Sequence, residues 1–277
     1  MLVLRHNEEF FRGRFLILFF SFMLYFLVQE VSAQVNVLGK QGYLMTPASR
    51  WDNQKRDVVL GMAYIPEHFA INYFMKKPYR ELMVHGDIEV FDFLRVGINL
   101  TYLPEIPQRV GVGDRHIDFS LRVWKEKKWR PSLMLILTPP AGLSDYLNHN
   151  AVVMSKTISW NSMDRFEFSI GFGMDKSLYQ RKLNSQGRRF DLISRRKLGN
   201  RYLNGFFSGM KYNPSNWLSL MLEYDSSDFH AGANVIIWKR LSMQVAFYGF
   251  EKWGGMLHYR FPLEIKPREL RRYEKKL

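Results

Sequence analysis

The sequence predicts an all-β protein, namely a single transmembrane antiparallel β-barrel of about 12–14 strands, preceded by a cleaved signal peptide. The chain contains many short segments of roughly ten residues in which apolar and polar side chains alternate, as transmembrane barrel strands do. Aromatic residues make up 16% of the chain, whereas the mean hydropathy of -0.24 is too low for a helical membrane protein. A barrel satisfies both observations because only alternate residues meet lipid.

Residues 1–33 have the features of a secretory signal peptide. Residues 15–28 are apolar apart from one serine, three arginines precede them, and Val31-Ser32-Ala33 follows. Because this is the order of a signal peptide with its cleavage site, we expect cleavage after Ala33 and export from the cytoplasm. No later run of about 18 apolar residues occurs, so the sequence predicts no membrane-spanning helix.

The clearest alternation covers residues 94–102, with apolar and polar side chains on opposite faces. Residues 116–123 and 165–174 repeat this pattern. The remaining candidate strands are residues 58–64, 69–76, 81–90, 131–138, 150–160, 205–213, 217–225, 229–238, 241–249 and 253–261.

These segments add up to about thirteen strands, but bacterial single-chain barrels have even strand numbers. Tyr43 to Thr46 would supply a fourteenth strand. The alternative is twelve spanning strands, with residues 69–76 at the rim or in a plug.

The connections between these strands fall into two groups. Counting back from the last strand puts 125–128, 213–216 and 238–241 at the periplasmic side as tight turns. Residues 103–115, 139–149 and 175–204 then become outer loops, in agreement with the short periplasmic turns and long outer loops of such barrels.

The predicted organisation therefore has four parts. Residues 1–33 are the signal peptide, and residues 34–56 form an N-terminal motif segment that is either a plug or a first strand. Residues 57–261 form the barrel, and residues 262–277 form a basic periplasmic tail.

Charge and cysteine content limit the possible functions. The formal net charge of +14 favours acidic neighbours. The absence of cysteine excludes disulfides and thiolate metal sites. The seven histidines lack metal-binding spacing, and we expect neither a metal nor a cofactor.

Residues 39–50 read Gly-Lys-Gln-Gly-Tyr-Leu-Met-Thr-Pro-Ala-Ser-Arg and resemble the opening motif of the YjbH-like outer-membrane proteins. Residues 131–156, which end in Ser155-Lys156, and residues 222–239 resemble later blocks of that family. The resemblance implies a β-barrel linked to exopolysaccharide export. The motif positions are Gly39, Gly42, Thr46, Pro47, Arg50, Ser155 and Lys156.

Within the motif, Gly42 and Pro47 suit a tight, fixed backbone. We expect Arg50 to anchor the segment to lumen carboxylates such as Asp87 or Glu89. Lys156 shares a face with apolar residues, so either it lies at the membrane interface or a bulge turns it inward.

Two further sets of residues are candidates for binding. Alternation places possible solute contacts in the lumen, although the same residues would equally form structural ion pairs; the set is Arg95, Asp118, Arg122, Glu223 and Arg260. The segment 181–201 is strongly basic, and its arginines would either bind acidic polysaccharide or lipopolysaccharide phosphates, or lie solvated beside headgroups; the set is Arg188, Arg189, Arg195 and Arg196.

The expected function is an outer-membrane barrel that assists export or surface attachment of an extracellular polysaccharide. The alternatives are a general scaffold or small-solute pore, and a lipid-modifying enzyme. The enzyme is disfavoured because no nucleophile-elbow pattern surrounds the serines near His149 or His230. A soluble periplasmic two-sheet sandwich would share the alternation.

The expected partners follow from this location. They are outer-membrane lipid and lipopolysaccharide, together with acidic polysaccharide and other export components. We do not expect nucleic acid as a partner of an exported barrel.

Overall fold

A computed structural model describes residues 34–50, 56–71, 73–74, 77–106, 112–139, 148–159, 165–183, 187–197, 201–238 and 240–263. The predicted signal peptide at 1–33 lies outside the described residues. Nearly all of the predicted tail at 262–277 does so too.

The described part of the chain contains sixteen strands and one short 3₁₀ helix, Glu67–Phe69. The strands are β1 (Asp57–Ile65), β2 (Tyr73–Phe74), β3 (Lys77–Pro78), β4 (Glu81–Phe91), β5 (Leu94–Tyr102), β6 (Val112–Trp124), β7 (Ser132–Leu137), β8 (Ala151–Ser159), β9 (Arg165–Gly173), β10 (Lys176–Leu183), β11 (Gly187–Ser194), β12 (Gly205–Asn213), β13 (Leu218–Tyr224), β14 (Phe229–Trp238), β15 (Leu241–Tyr248) and β16 (Lys252–Pro262).

Twelve of these strands close into an antiparallel barrel in the order β1-β16-β15-β14-β13-β12-β9-β8-β7-β6-β5-β4. Strand β1 pairs with β16 on one side and with β4 on the other, which closes the sheet. The predicted all-β barrel is confirmed, with a strand number at the lower limit of the predicted range.

Two segments counted as possible strands do not join the barrel. Residues 69–76 contribute only the end of the 3₁₀ helix and the two-residue strand β2, which pairs with β3. Tyr43 to Thr46 lie in a segment inside the barrel. The alternative with twelve spanning strands is therefore correct.

The two ends of the barrel differ in the length of their connections. At one end, here named the short-turn end, lie β1's first residue, the last residue of β16, and the connections 91–94, 124–132, 159–165, 213–218 and 238–241. At the opposite, long-loop end lie two short turns and the strand ends that flank the connections 65–81, 102–112, 137–151 and 173–205. The predicted tight turns and long loops are thus separated as expected.

Two details of the long loops differ from the prediction. Strand β6 begins at Val112, so residues 112–115 belong to a strand instead of an outer loop. The predicted loop 175–204 contains the hairpin β10–β11, which forms a sheet of its own. Its dense positive charge hides the alternation, because lysine and arginine occupy many of its positions.

Alternation along the strands puts apolar side chains outside the barrel and polar ones inside. In β5, Ile98 is 59% exposed, whereas Arg95 is 2% exposed. A two-sheet sandwich would instead bury the apolar face between its sheets, so the closed barrel rules out that alternative. No helix in the described ranges has the length and apolar character needed to cross a membrane.

Exposed aromatic side chains gather at both ends of the outer surface. Those near the short-turn end are Phe91, Phe93, Trp124, Trp217, Tyr259 and Phe261. Those near the long-loop end are Tyr64, Tyr102, Phe172, Phe206, Phe229 and Trp253. Aromatic girdles flanking an apolar band are typical of barrels whose outer face contacts lipid.

The interior is divided along the barrel axis. Buried apolar side chains such as Ile65, Met83 and Phe207 pack together mainly in the half toward the long loops. Buried charged and hydroxyl side chains, including Asp87, lie mainly toward the short turns. The long-loop half is therefore the more apolar part of the interior, and the short-turn half is the more polar part.

The closed sheet predicts heat-modifiable migration in gel electrophoresis. Every barrel strand pairs on both sides, so the folded barrel should resist SDS until boiled and should migrate faster before boiling. A variant truncated after Phe250, which lacks β16, is the control and should show no shift. Identical mobility of the full chain before and after boiling would contradict the closed barrel.

Candidate functional site: the lumenal plug

Residues 34–50, here named the plug, lie inside the barrel. Residues 34–49 are all buried, and only Arg50 is exposed. The plug satisfies much of its own backbone, because Val37 N donates to Leu44 O at 2.9 Å and Ala48 N donates to Gln41 O at 2.8 Å. A segment without long strands can therefore occupy the lumen without leaving its amides unpaired.

The glycines of the motif are required by the plug's tight path. Gly39 has a φ of 73°, and a Cβ there would lie 2.7 Å from the His85 ring. A Cβ on Gly42 would lie 2.3 Å from the carbonyl oxygen of Thr46. A larger residue at Gly39 would push the plug away from the wall, and one at Gly42 would disrupt the plug's own turn.

Glycines on the barrel wall make room for the plug. A Cβ on Gly209 would lie 2.6 Å from the Tyr43 ring, and one on Gly232 would lie 2.7 Å from the Leu44 side chain. The two apolar plug residues thus sit in shallow depressions of β12 and β14. The close fit therefore depends on residues of the plug and on glycines of the barrel wall.

The strongest anchor of the plug is the buried carboxylate of Glu223 on β13. It accepts hydrogen bonds from the backbone N–H groups of Leu44, Met45 and Thr46, at 3.2, 2.6 and 3.0 Å. It also accepts one from Thr46 Oγ1 at 2.7 Å. Hydrogen bonds to a charged acceptor contribute about 1.5–3 kcal/mol each, so Glu223 fixes the centre of the plug.

A buried ion pair provides a second anchor. Lys40 of the plug contacts Asp118 on β6, and both side chains are almost fully buried. His116 Nε2 lies 3.0 Å from the same carboxylate, and Asn99 Nδ2 donates to it at 3.2 Å. Removing one partner of such a pair typically costs about 3–5 kcal/mol. Asp118 was predicted as a solute contact, but here its carboxylate is engaged by the plug.

Hydroxyl groups bind the end of the plug to three neighbouring strands. Ser49 N donates to Ser155 Oγ at 2.8 Å, and the hydroxyls of Ser49 and Ser132 are 2.6 Å apart. Ser169 Oγ donates to Pro47 O at 3.2 Å. The three blocks of the family resemblance, which contain Ser49, Ser155 and Glu223, therefore meet at one interface.

The long-loop end contacts the plug through Tyr202, whose hydroxyl donates to Met45 O at 2.7 Å. Arg195, which is fully buried, supports this loop by donating to Tyr202 O at 2.7 Å and to Leu203 O at 3.1 Å. Burial lowers the pKa of Arg195 to about 10, so the guanidinium remains charged at pH 7. The prediction that Arg195 belongs to an accessible basic loop is therefore wrong.

The other arginines of the basic segment remain near the surface or on the hairpin. Arg188 and Arg189 belong to β11, and Arg196 is exposed, with Nε 3.9 Å from Asp175 Oδ1. Contact between these three arginines and an anion stays a prediction.

A second cluster of charges surrounds Arg95 near the short-turn end. The guanidinium contacts Asp87, and it lies 2.9 Å from Asp57 and 3.2 Å from Glu89. Arg260 Nε is 3.0 Å from Asp57. These contacts favour the ion-pair interpretation, and solute contact at Arg95 would require the cluster to open.

Arg122, also predicted as a solute contact, donates to the carbonyl oxygen of Asp92 in the 91–94 turn. Its solute contact likewise stays a prediction.

The predicted partner of Arg50 is wrong. Arg50 Nη1 lies 3.8 Å from Glu167 and donates to Thr157 Oγ1 at 2.9 Å. Asp87 and Glu89 pair with Arg95 instead.

Lys156 lies on the outer side near the short-turn end. Its ammonium is 2.8 Å from Glu126 in the 124–132 connection. Strand β8 pairs with β7 and β9 without a register shift, so the bulge is wrong. A position at the membrane interface stays a prediction.

Ser155 and His230, which were among the residues considered for catalysis, have other partners. Ser155 Oγ donates to Ser169 Oγ at 3.2 Å. His230 Nδ1 accepts from Gly249 N at 3.0 Å, and its Nε2 is 3.1 Å from Asp225. Ser144, the other candidate beside His149, lies outside the described residues. Among the residues that the structure describes, no group of three ligands could hold a metal ion.

Several residues that form the site escaped sequence reasoning. Lys40 and Ser49 lie within the motif, but their partners come from distant strands. Tyr202 lies in a loop and Gln244, which donates to Tyr43 O at 2.7 Å, lies in an ordinary strand. Only Lys40 could have been noticed in the sequence, as a charged residue between Gly39 and Gly42.

The structure thus defines a class of protein: a closed twelve-strand barrel with an N-terminal plug held by buried charges. A family model described as exopolysaccharide biosynthesis protein YbjH matches residues 34–247, from the plug to β15. The chain belongs to this YjbH family. The match covers the plug and the barrel strands except β16 and the last residue of β15.

Among solved structures, the crystal structure of an outer-membrane channel from Pseudomonas putida F1 resembles this chain. The likeness covers 74% of this chain and 94% of that chain, with 12% sequence identity and a TM-score of 0.38. No curated protein matches the sequence.

We expect Glu223→Gln to loosen the plug, because the three amides lose a charged acceptor. In planar lipid bilayers, the wild-type protein should be closed most of the time and the variant should open at least several-fold more often. Glu251→Gln, which neutralises an exposed carboxylate in the 248–252 turn, is the matched control and should behave as wild type. Equal opening of Glu223→Gln and wild type would contradict the anchoring role.

Proposed function

We propose that this protein is an outer-membrane β-barrel that assists the export or surface attachment of an extracellular polysaccharide. Membership of the YjbH family, matched over residues 34–247, carries this proposal. The polysaccharide link comes from the family, and the barrel supplies the membrane component.

The outer surface supports the proposed location. A closed barrel with an apolar exterior and polar interior leaves no unpaired sheet edge, as a lipid environment requires. In bacterial barrels both chain ends and the short turns face the periplasm. The short-turn end is therefore assigned to the periplasm and the long-loop end to the cell exterior.

The plugged lumen limits how a polymer could cross. Transport through the barrel requires the plug to move, because residues 34–49 are buried among lumenal side chains. A scaffold role, in which the barrel holds other export components and the plug stays in place, is the second candidate. The filled lumen favours this scaffold over a small-solute pore that is always open.

The exposed groups define the proposed partners. Outer-membrane lipid would cover the apolar band, and lipopolysaccharide would meet the basic hairpin β10–β11 at the exterior. We also propose that the chain has no enzymatic activity of its own, since Ser155 and His230 are engaged in structural contacts.

A disulfide between the plug and the wall tests the route of the polymer. The chain contains no cysteine, and the Ser49 and Ser132 hydroxyl oxygens are 2.6 Å apart, so Ser49→Cys/Ser132→Cys should cross-link in the oxidising periplasm. If the lumen is the route, cells carrying only this variant should release at least tenfold less extracellular polysaccharide, and reductant should restore release.

Two controls make the result decisive. The single variant Ser132→Cys should release polysaccharide normally, and deletion of the whole gene should abolish release. Normal release from the cross-linked strain would exclude the lumenal route and support the scaffold. Normal release from the deletion strain would overturn the proposed function altogether.

A further inference from the structure

A partly enclosed cavity of about 40 Å³ lies at the short-turn end, where plug and wall meet. Both ends of the plug reach it, through Gln34 and Arg50, and the wall contributes residues from β9, β12, β14 and the 213–218 turn. The cavity therefore lies in the more polar half of the barrel, away from the apolar packing at the long-loop end.

The lining of this cavity carries an excess of positive charge. Arg50, Arg165 and Lys211 line it together with a single carboxylate, that of Glu167. Lys211 Nζ is 3.2 Å from Glu167 and Arg50 Nη1 is 3.8 Å from the same oxygen. One carboxylate thus serves two cations and leaves a local charge of about +2, which favours an anion.

The third cation has no partner in the described part of the chain. The Nε of Arg165 is buried without a hydrogen bond. Two further polar atoms of the lining, Ser215 Oγ and Asn234 Oδ1, are also buried without a partner, and Asn234 is 1% exposed. Because unpaired buried polar groups are costly, a site with several of them is suited to a polar ligand.

We propose that this cavity binds the carboxylate of an acidic sugar residue, with Arg165 and Lys211 as its cationic partners. A guanidinium matches a carboxylate in a bidentate geometry. The cavity is small and partly open, so a carboxylate can enter it while the sugar ring stays at its mouth.

The ring would then lie across the mouth of the cavity, beside the 213–218 turn. Ser215 and Asn216 both line the cavity there, and they offer hydroxyl and amide groups to sugar hydroxyls. The ligand would also meet Arg50 and Gln34, and would compete with Glu167 for Arg50. Binding would thereby act directly on the two ends of the plug.

This inference rests on the proposed function for its orientation, since the short-turn end is assigned to the periplasm. The cavity would then be the place where an acidic polymer made inside the cell first meets the barrel. The basic hairpin β10–β11 lies at the opposite end and is a separate surface.

Binding of trigalacturonate to the full mature chain in detergent micelles, measured by isothermal titration calorimetry, tests the site. We expect the wild-type protein to bind trigalacturonate and not the neutral maltotriose. Arg165→Gln should weaken binding at least tenfold. Arg240→Gln, which removes an exposed arginine from the 238–241 turn at the same end, is the matched control and should bind as wild type.

Each remaining outcome decides against the site or against its ligand class. Equal binding by Arg165→Gln and Arg240→Gln would overturn the site, and so would binding of maltotriose with equal affinity. Complete competition by inorganic phosphate at an equal concentration would assign a general anion site instead of a carboxylate site.

Folding and cellular function are tested separately. Heat-modifiable migration of Arg165→Gln confirms that the variant is folded; if it is not, Asn216→Ala in the 213–218 turn replaces it and should weaken binding several-fold. Unchanged binding by Asn216→Ala in that case would overturn the site. If the deletion strain releases polysaccharide normally while the protein still binds trigalacturonate, the proposed function is wrong and the binding site is retained.

Discussion

The hydrogen bonds between the Glu223 carboxylate and three consecutive plug amides are the contact on which the rest of the interior depends. A buried carboxylate is stable only when its oxygens are fully engaged, and the backbone of Leu44 to Thr46 supplies those donors. In return, the plug gains a fixed position from which Lys40 reaches Asp118 and Ser49 reaches Ser132. The wall and the plug are therefore each incomplete without the other.

The two ends of the barrel have different physical characters, and the plug connects them. At the long-loop end the Tyr202 hydroxyl donates to Met45 O, and buried Arg195 supports the loop that contains Tyr202. At the short-turn end Arg50 and Lys211 share Glu167 beside a polar cavity. The plug joins the two ends as a single short segment, which is held by apolar packing as well as by buried polar contacts. This arrangement suits a closed barrel that responds to a ligand.

The sequence predicts the strands well because alternation is a local property. Residues 94–102 and 205–213 have the same bounds in sequence and structure. The hairpin β10–β11 was missed because its charges obscure the alternation. The plug's partners were unpredictable for a different reason: Glu223 lies far from Leu44 to Thr46 in the chain, so their contact depends on barrel closure and not on local pattern. Arg50 was assigned the wrong carboxylate because alternation gives the face of a residue but not its neighbours around the barrel.

The central claim is that residues 34–49 are held inside the folded barrel. Hydrogen exchange of the mature protein in detergent micelles, followed by mass spectrometry, tests it most directly. The amides of Leu44, Met45 and Thr46 are engaged by Glu223, so a peptide that covers them should exchange as slowly as peptides from β13. Complete exchange of that peptide within seconds, while the barrel strands stay protected, would contradict the account.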